Sequence, residues 1–180
     1  ILERFRAELC DEVAGIKGSQ SILEALERGN LFLVALDEER TWYRYHHLFA
    51  ELLRHRLSLK CEAGEVEELH LRAGRWHERA DDVEEAMHHY LAGGRFEEAL
   101  RVIAEHLVAI LTRGGLRMLV AWASRIPEEV VVRDAGACVT LGSIDAWAGR
   151  AADGRGWGPW WSGNCWSRWR RPPSPARWSC

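Results

Sequence analysis

The spacing of apolar residues changes from helical to extended and back to helical within the first sixty positions. Ile1 to Val13 has the spacing of a helix interior, and Gly15 and Gly18 follow it. Ser19 can cap a second helix that carries Ile22, Leu23 and Leu26 on one face and stops at Gly29 and Asn30. Leu31 to Leu36 is a short apolar run, too short for a helix. The polar turn Asp37, Glu38, Glu39, Arg40 separates it from Thr41 to Tyr45, which is rich in strand-formers, so the pair predicts a β-hairpin. Leu48, Phe49, Leu52, Leu53 and Leu57 then recur at helical intervals.

Two helices, a hairpin and a helix are the order of a winged-helix-like module, over residues 1–60. After a polar joint from Lys60 to Glu65 the period is helical throughout. Val66, Leu69, Ala73 and Trp76 make one stripe, and Val83, Ala86, Met87, Tyr90 and Leu91 make another. Gly93 and Gly94 precede a third helix with Phe96, Ala99, Leu100, Ile103, Leu107 and Ile110. Gly114 and Gly115 precede a fourth with Leu116, Leu119, Val120 and Ala123, and Pro127 ends it. The segments Val83 to Met87 (VEEAM) and Phe96 to Leu100 (FEEAL) repeat one pattern. With the short glycine-containing joints, that repeat predicts stacked antiparallel helix pairs, TPR-like, over residues 64–150. The fold class expected is mainly α, with one hairpin.

The pattern collapses after Arg150. Ala151 to Cys180 has no Leu, Ile, Val, Met or Phe, yet holds six of the ten Trp and four of the five Pro. GC-rich codons yield such a composition in any frame, so residues 151–180 are expected to be a disordered or frameshifted tail. A stacking surface of Trp157, Trp160, Trp161, Trp166 and Trp169 beside Arg168, Arg170 and Arg171 is the less favoured reading, because such rings need a folded platform.

Charge narrows the functional classes. The whole chain has 24 basic and 27 acidic residues, a net of -3, and setting aside the tail's five Arg and one Asp leaves 19 against 26. A chain of that sign gives no electrostatic reason for tight binding to nucleic acid or to an anionic membrane. Five scattered cysteines, none in a CxxC pair, predict neither a disulfide framework nor a zinc site and fit a reducing cytoplasm. The longest apolar runs are far short of a membrane span, and the opening residue, Ile1, favours a truncated piece of a larger protein.

Eight histidines invite a metal or acid–base reading, particularly His46, His47 and His55 on one helix, His70 and His77 on another, and His88 and His89. His77-Glu78 lacks a second histidine four positions after the first, so the two-ligand face of a HExxH zinc hydrolase is missing. Solvated or helix-packing histidines are the favoured reading. No GxxxxGK[ST] phosphate loop and no GxSxG elbow is present, so no catalytic residue is assigned and no metal site is expected. Trp42, Tyr43 and Tyr45, interleaved with Arg40 and Arg44, could bind bases, but alternating aromatics on a ribbon more often pack it. Trp76 and Trp122 sit in apolar stripes and read as core.

Asn30 to Leu57, NLFLVALDEERTWYRYHHLFAELLRHRL, resembles the MalT-type, ATP-dependent LuxR-family transcriptional regulators of the STAND class. Glu68 to Ile103, with Leu69, Ala73, Trp76, Glu85, Ala86 and Gly93, is similar to the helical linker that follows the winged helix there. Leu116 to Val131 fits as well, so the resemblance spans about residues 1–150. It implies a cytoplasmic bacterial switch with an N-terminal ATPase module, a winged helix, a helical-repeat sensor for an inducer and a C-terminal DNA-binding helix-turn-helix. On that reading this chain holds only the middle. ATP or ADP belongs to the parent protein, DNA is met only through an absent C-terminal domain, and the partners are the ATPase module and further repeats. The resemblance also implies that Tyr45-His46-His47 stands where related proteins have Met-His-Asp, whose His approaches the phosphates of bound ADP. His46 is the nucleotide-sensing candidate, and His47 replaces the motif's Asp. The alternative function is a free-standing helical-repeat scaffold for protein partners.

Overall fold

The computed structural model describes residues 1–29 and 31–149, so the expectation for residues 151–180 lies outside the described residues. Contacts divide the chain into two compact units, Ile1–Arg95 and the part from Phe96 onward.

In the first unit, α1 (Ala7–Ala14) and α2 (Ser19–Arg28) precede the hairpin of β1 (Leu33–Ala35) and β2 (Tyr43–Tyr45). The hairpin is antiparallel, with Leu33 opposite Tyr45 and Ala35 opposite Tyr43. The first helix begins later than its apolar spacing predicted. Phe5 is extended instead and bridges the outer side of β2, exchanging both backbone hydrogen bonds with Tyr43 at 2.9 and 2.8 Å. A strand of one bridge satisfies two peptide groups that a helix would also have satisfied, and it leaves the Phe5 ring in the core.

Local chemistry explains the joints. Gly15 ends α1 in the left-handed region at φ 67. The Asp11 carboxylate then accepts the Ser19 N–H at 2.9 Å, tying the end of α1 to the start of α2. In the wing, Asp37 accepts from the Thr41 hydroxyl, from the Thr41 N–H at 2.7 Å and from the Trp42 N–H at 3.2 Å. The Thr41 hydroxyl bond is the main reason the Asp37 carboxyl is held below its usual pKa.

The long helix α3 (His47–Lys60) follows the hairpin, then α4 (Ala63–Arg79) and α5 (Val83–Ala92). Glu62 and Glu65 close a reciprocal capping box at the start of α4. Asp82 caps α5, and the turn between the two helices needs the left-handed Asp81 at φ 59. The pair is antiparallel: Gly74 lies against Tyr90, and Gly93 against His70. A Cβ on Gly74 would stand 2.5 Å from the Tyr90 ring, so only glycine allows this approach. The Tyr90 hydroxyl donates to Glu78 Oε2 at 2.6 Å. The core of this unit joins Phe5, Leu9, Val13, Leu23, Leu33 and Tyr43 to Ala73 of α4, with Leu69 and Trp76 packed beside it. The stripe read from Val66 to Trp76 therefore serves the winged-helix core.

In the second unit, α6 (Phe96–Thr112) packs with α7 (Leu116–Ala123), and both contact α9 (Ala135–Trp147), with the short α8 (Glu128–Val131) before it. Leu119, Ile126, Val131, Leu141 and Ile144 are buried. Asp134 caps α9, accepting from the Gly136 and Ala137 N–H groups at 2.6 and 3.1 Å. The VEEAM and FEEAL segments open α5 and α6, and their paired glutamates face the positive ends of those helices. The chain is mainly helical with one two-stranded hairpin, as the periodicity predicted.

Candidate functional site

The hairpin and α3 present a surface that the fold does not cover. Leu31, Phe32, Val34 and Leu36 are exposed on and beside β1, and Leu48, Leu52 and Leu59 are exposed on α3. β1 alternates, with Leu33 inward and Val34 outward, so the outward side chains are apolar where a solvated face would be polar. Phe32 is 58% exposed and sits at φ 57, a left-handed conformation that a bulky aromatic adopts only when its surroundings hold it there. Its ring stacks on Phe49 with centroids 5.2 Å apart, and Phe49 meets Tyr45 edge-on at 5.5 Å. These contacts pin the start of α3 to the base of the wing.

His46 occupies that junction. It is the N-cap residue of α3, and its backbone N–H donates to the Phe32 carbonyl at 2.8 Å. Its imidazole makes no capping bond and is exposed, with its centroid 4.4 Å from that of His47. The sequence-predicted residue thus lies at the edge of the uncovered apolar surface, with its ring available to a ligand or partner.

The aromatic residues of β2 serve packing. Tyr43 is fully buried, Tyr45 lies 4.8 Å from Phe5, and Trp42 meets Trp76 edge-on at 6.3 Å while the Arg6 guanidinium lies 5.7 Å from its ring. No face remains for stacking bases on Tyr43. Arg40 is turned to Glu27 at 3.6 Å.

The histidines of α4 and α5 separate into two groups. His88 is exposed, whereas His70, His77 and His89 are buried between the two helices. His70 Nδ1 and His89 Nδ1 are 3.0 Å apart, so one ring donates and the other accepts, which requires the accepting ring to be neutral with its Nδ1 unprotonated. Burial lowers the His70 pKa to about 4 and the His89 pKa to about 3, and neighbouring positive groups add to the effect. His77 lies 3.3 Å from Asp82 Oδ2 through Nδ1, and its ring stacks 5.5 Å from that of His89. Among the described residues no three His, Cys, Asp or Glu side chains are grouped to hold a metal ion. The i, i+7 spacing of His70 and His77 was the sequence signal for a shared helix face, and the partner on α5 lay beyond the reach of periodicity.

Comparison with known proteins gives the module its kinship. Residues 1–66 match the family described as the MalT winged helix domain, so a MalT-like winged-helix module is present. The serine/threonine-protein kinase PknK of Mycobacterium tuberculosis, in the CDC 1551 / Oshkosh and H37Rv strains, is 30% identical over 132 residues, which is 73% of this chain. The Mycobacterium bovis PknK matches equally. The chain spans 12% of the length of these relatives. No helix among the described residues is long and apolar enough to cross a membrane.

Proposed function

We propose that the chain is the coupling segment of a cytoplasmic bacterial, ATP-dependent transcriptional activator of the MalT type, carrying nucleotide and inducer state between modules and catalysing nothing itself. The observation that supports this most is the uncovered apolar surface of wing and α3, bordered by the free imidazole of His46, within residues matching a MalT winged helix. Large apolar side chains exposed in this number on one hairpin and one helix are suited to a docking face. An ATPase module docked there brings its ADP to His46, and an imidazole donor beside a diphosphate favours the ADP-bound, closed state. Movement of the winged-helix core is passed toward the sensor repeats by α4, whose Ala73 belongs to that core. DNA and inducer are bound by other parts of the parent.

The test is a purified parent regulator with His46→Ala. Weaker ADP affinity and raised basal transcription are expected, and unchanged ADP affinity refutes the role. The similarity to PknK favours a second reading, in which the parent is a protein kinase and the same segment regulates it. A phosphotransfer assay on the parent separates the two.

A further inference from the structure

A cavity of about 590 Å³ opens between the start of the chain, α1 and α3. Its volume lies within the range of small-molecule sites. Phe5, Val13, Leu53, Leu57 and Leu69 give it apolar walls. Arg54, Arg56 and Lys60 stand along it, and no Asp or Glu lines it, in a chain whose acidic residues outnumber its basic ones. Arg54 is shared with Glu3 at 3.6 Å, whereas Arg56 and Lys60 have no carboxylate partner among the described residues. Arg56 and Lys60 are four positions apart on α3, on one side of the helix, and both are exposed. The two thiols that line the cavity add no negative charge from Cys10, which burial pushes up to about 11. An open apolar hollow with cationic side chains along it matches the chemistry of an alkyl chain ending in an anion.

We infer that this cavity binds a free, monomeric acyl carboxylate, with the chain against Phe5, Leu53 and Leu57 and the carboxylate at Arg56 and Lys60. The site is lined by the Leu53 and Leu57 side of α3, and it gives the chain a small-molecule input that does not pass through His46. α3 buries none of its residues, so it can move to admit the chain.

The test uses the full 180-residue chain with decanoate below its micelle concentration, read by isothermal titration and by the rate at which a maleimide alkylates Cys61. Saturable one-to-one binding and slower Cys61 alkylation are expected. The double variant Arg56→Glu/Lys60→Glu, both positions exposed, should bind about tenfold more weakly and lose the protection. Val108→Ser, exposed on α6, should bind as the parent chain does. Decanol binding as well as decanoate, affinity unaffected by the charge reversal, association with anionic vesicles without binding of monomeric decanoate, or a dimer that buries α3 and excludes decanoate would each overturn the assignment.

Discussion

Helices α3 and α4 adjoin in sequence, yet they meet opposite fates. α3 carries Leu48, Phe49, Leu52, Leu53, Leu57 and Leu59 and buries no residue, whereas α4, with fewer large apolar side chains, buries His70, Leu71, Ala73 and His77. Hydrophobic content therefore does not decide which helix joins a core. Shape does: α4 offers small residues, Ala73 to the winged-helix core and Gly74 to Tyr90, so that two neighbours can approach it closely. α3 offers mainly large side chains, Ala50 and Ser58 apart, and touches the rest of its unit through Phe49, the walls of a cavity and the Arg54–Glu3 ion pair. A helix so apolar and so little buried is organised around something other than its own core.

Substitutions in the two regions should separate them sharply. Met87 on α5 is fully buried, and Met87→Ala should cost about 2–5 kcal/mol in denaturant unfolding. Gly74→Ala forces a methyl into the Tyr90 ring and should cost about 1–3 kcal/mol, a large effect for one carbon. Leu52→Ala, nearly half exposed on α3, should change stability by less than about 0.5 kcal/mol. If Leu52→Ala proves as damaging as Met87→Ala, α3 has a core role and the contrast is broken.

Acid sharpens the same contrast. His70 and His89 have folded-state pKa values well below that of a free imidazole, so the folded chain binds fewer protons than the unfolded one. Their contribution is complete above roughly pH 6.5 and is lost as the pH falls toward about 4 and about 3. Protonation of the accepting ring also turns its Nδ1 into a donor, which breaks their bond. The melting temperature should fall between pH 7 and pH 5, and the double variant His70→Leu/His89→Leu should flatten that fall. A pH profile unchanged by the double variant contradicts the assignment of the acid sensitivity to this pair.

The sequence carried the hairpin well, because strand-forming residues flank a polar turn and Asp37 supplies the acceptors that close it. It carried the helix pairs through the stripes from Val66 to Leu91. The bridge at Phe5 was hidden, since one paired residue has no period and the surrounding spacing is helical. α9 was hidden for another reason: its apolar residues include buried Leu141 and Ile144 and exposed Val139 and Trp147, so no single stripe marks it. His46 was singled out only through a resemblance to a known motif, and its place beside exposed Phe32 depends on the wing's tertiary path. The cavity and the His70–His89 contact join residues distant along the chain, which local pattern cannot bring together.

Amide hydrogen exchange on the isolated chain tests the central contrast most directly. Amides of α3 should exchange by local opening, at least about a hundredfold faster than those of α4 and α5, which should open only with the unit as a whole. Equal protection across Leu52–Leu57 and Leu71–Trp76 would show that α3 is anchored as firmly as its neighbour, and the reading of its apolar face as a surface for a partner would be wrong.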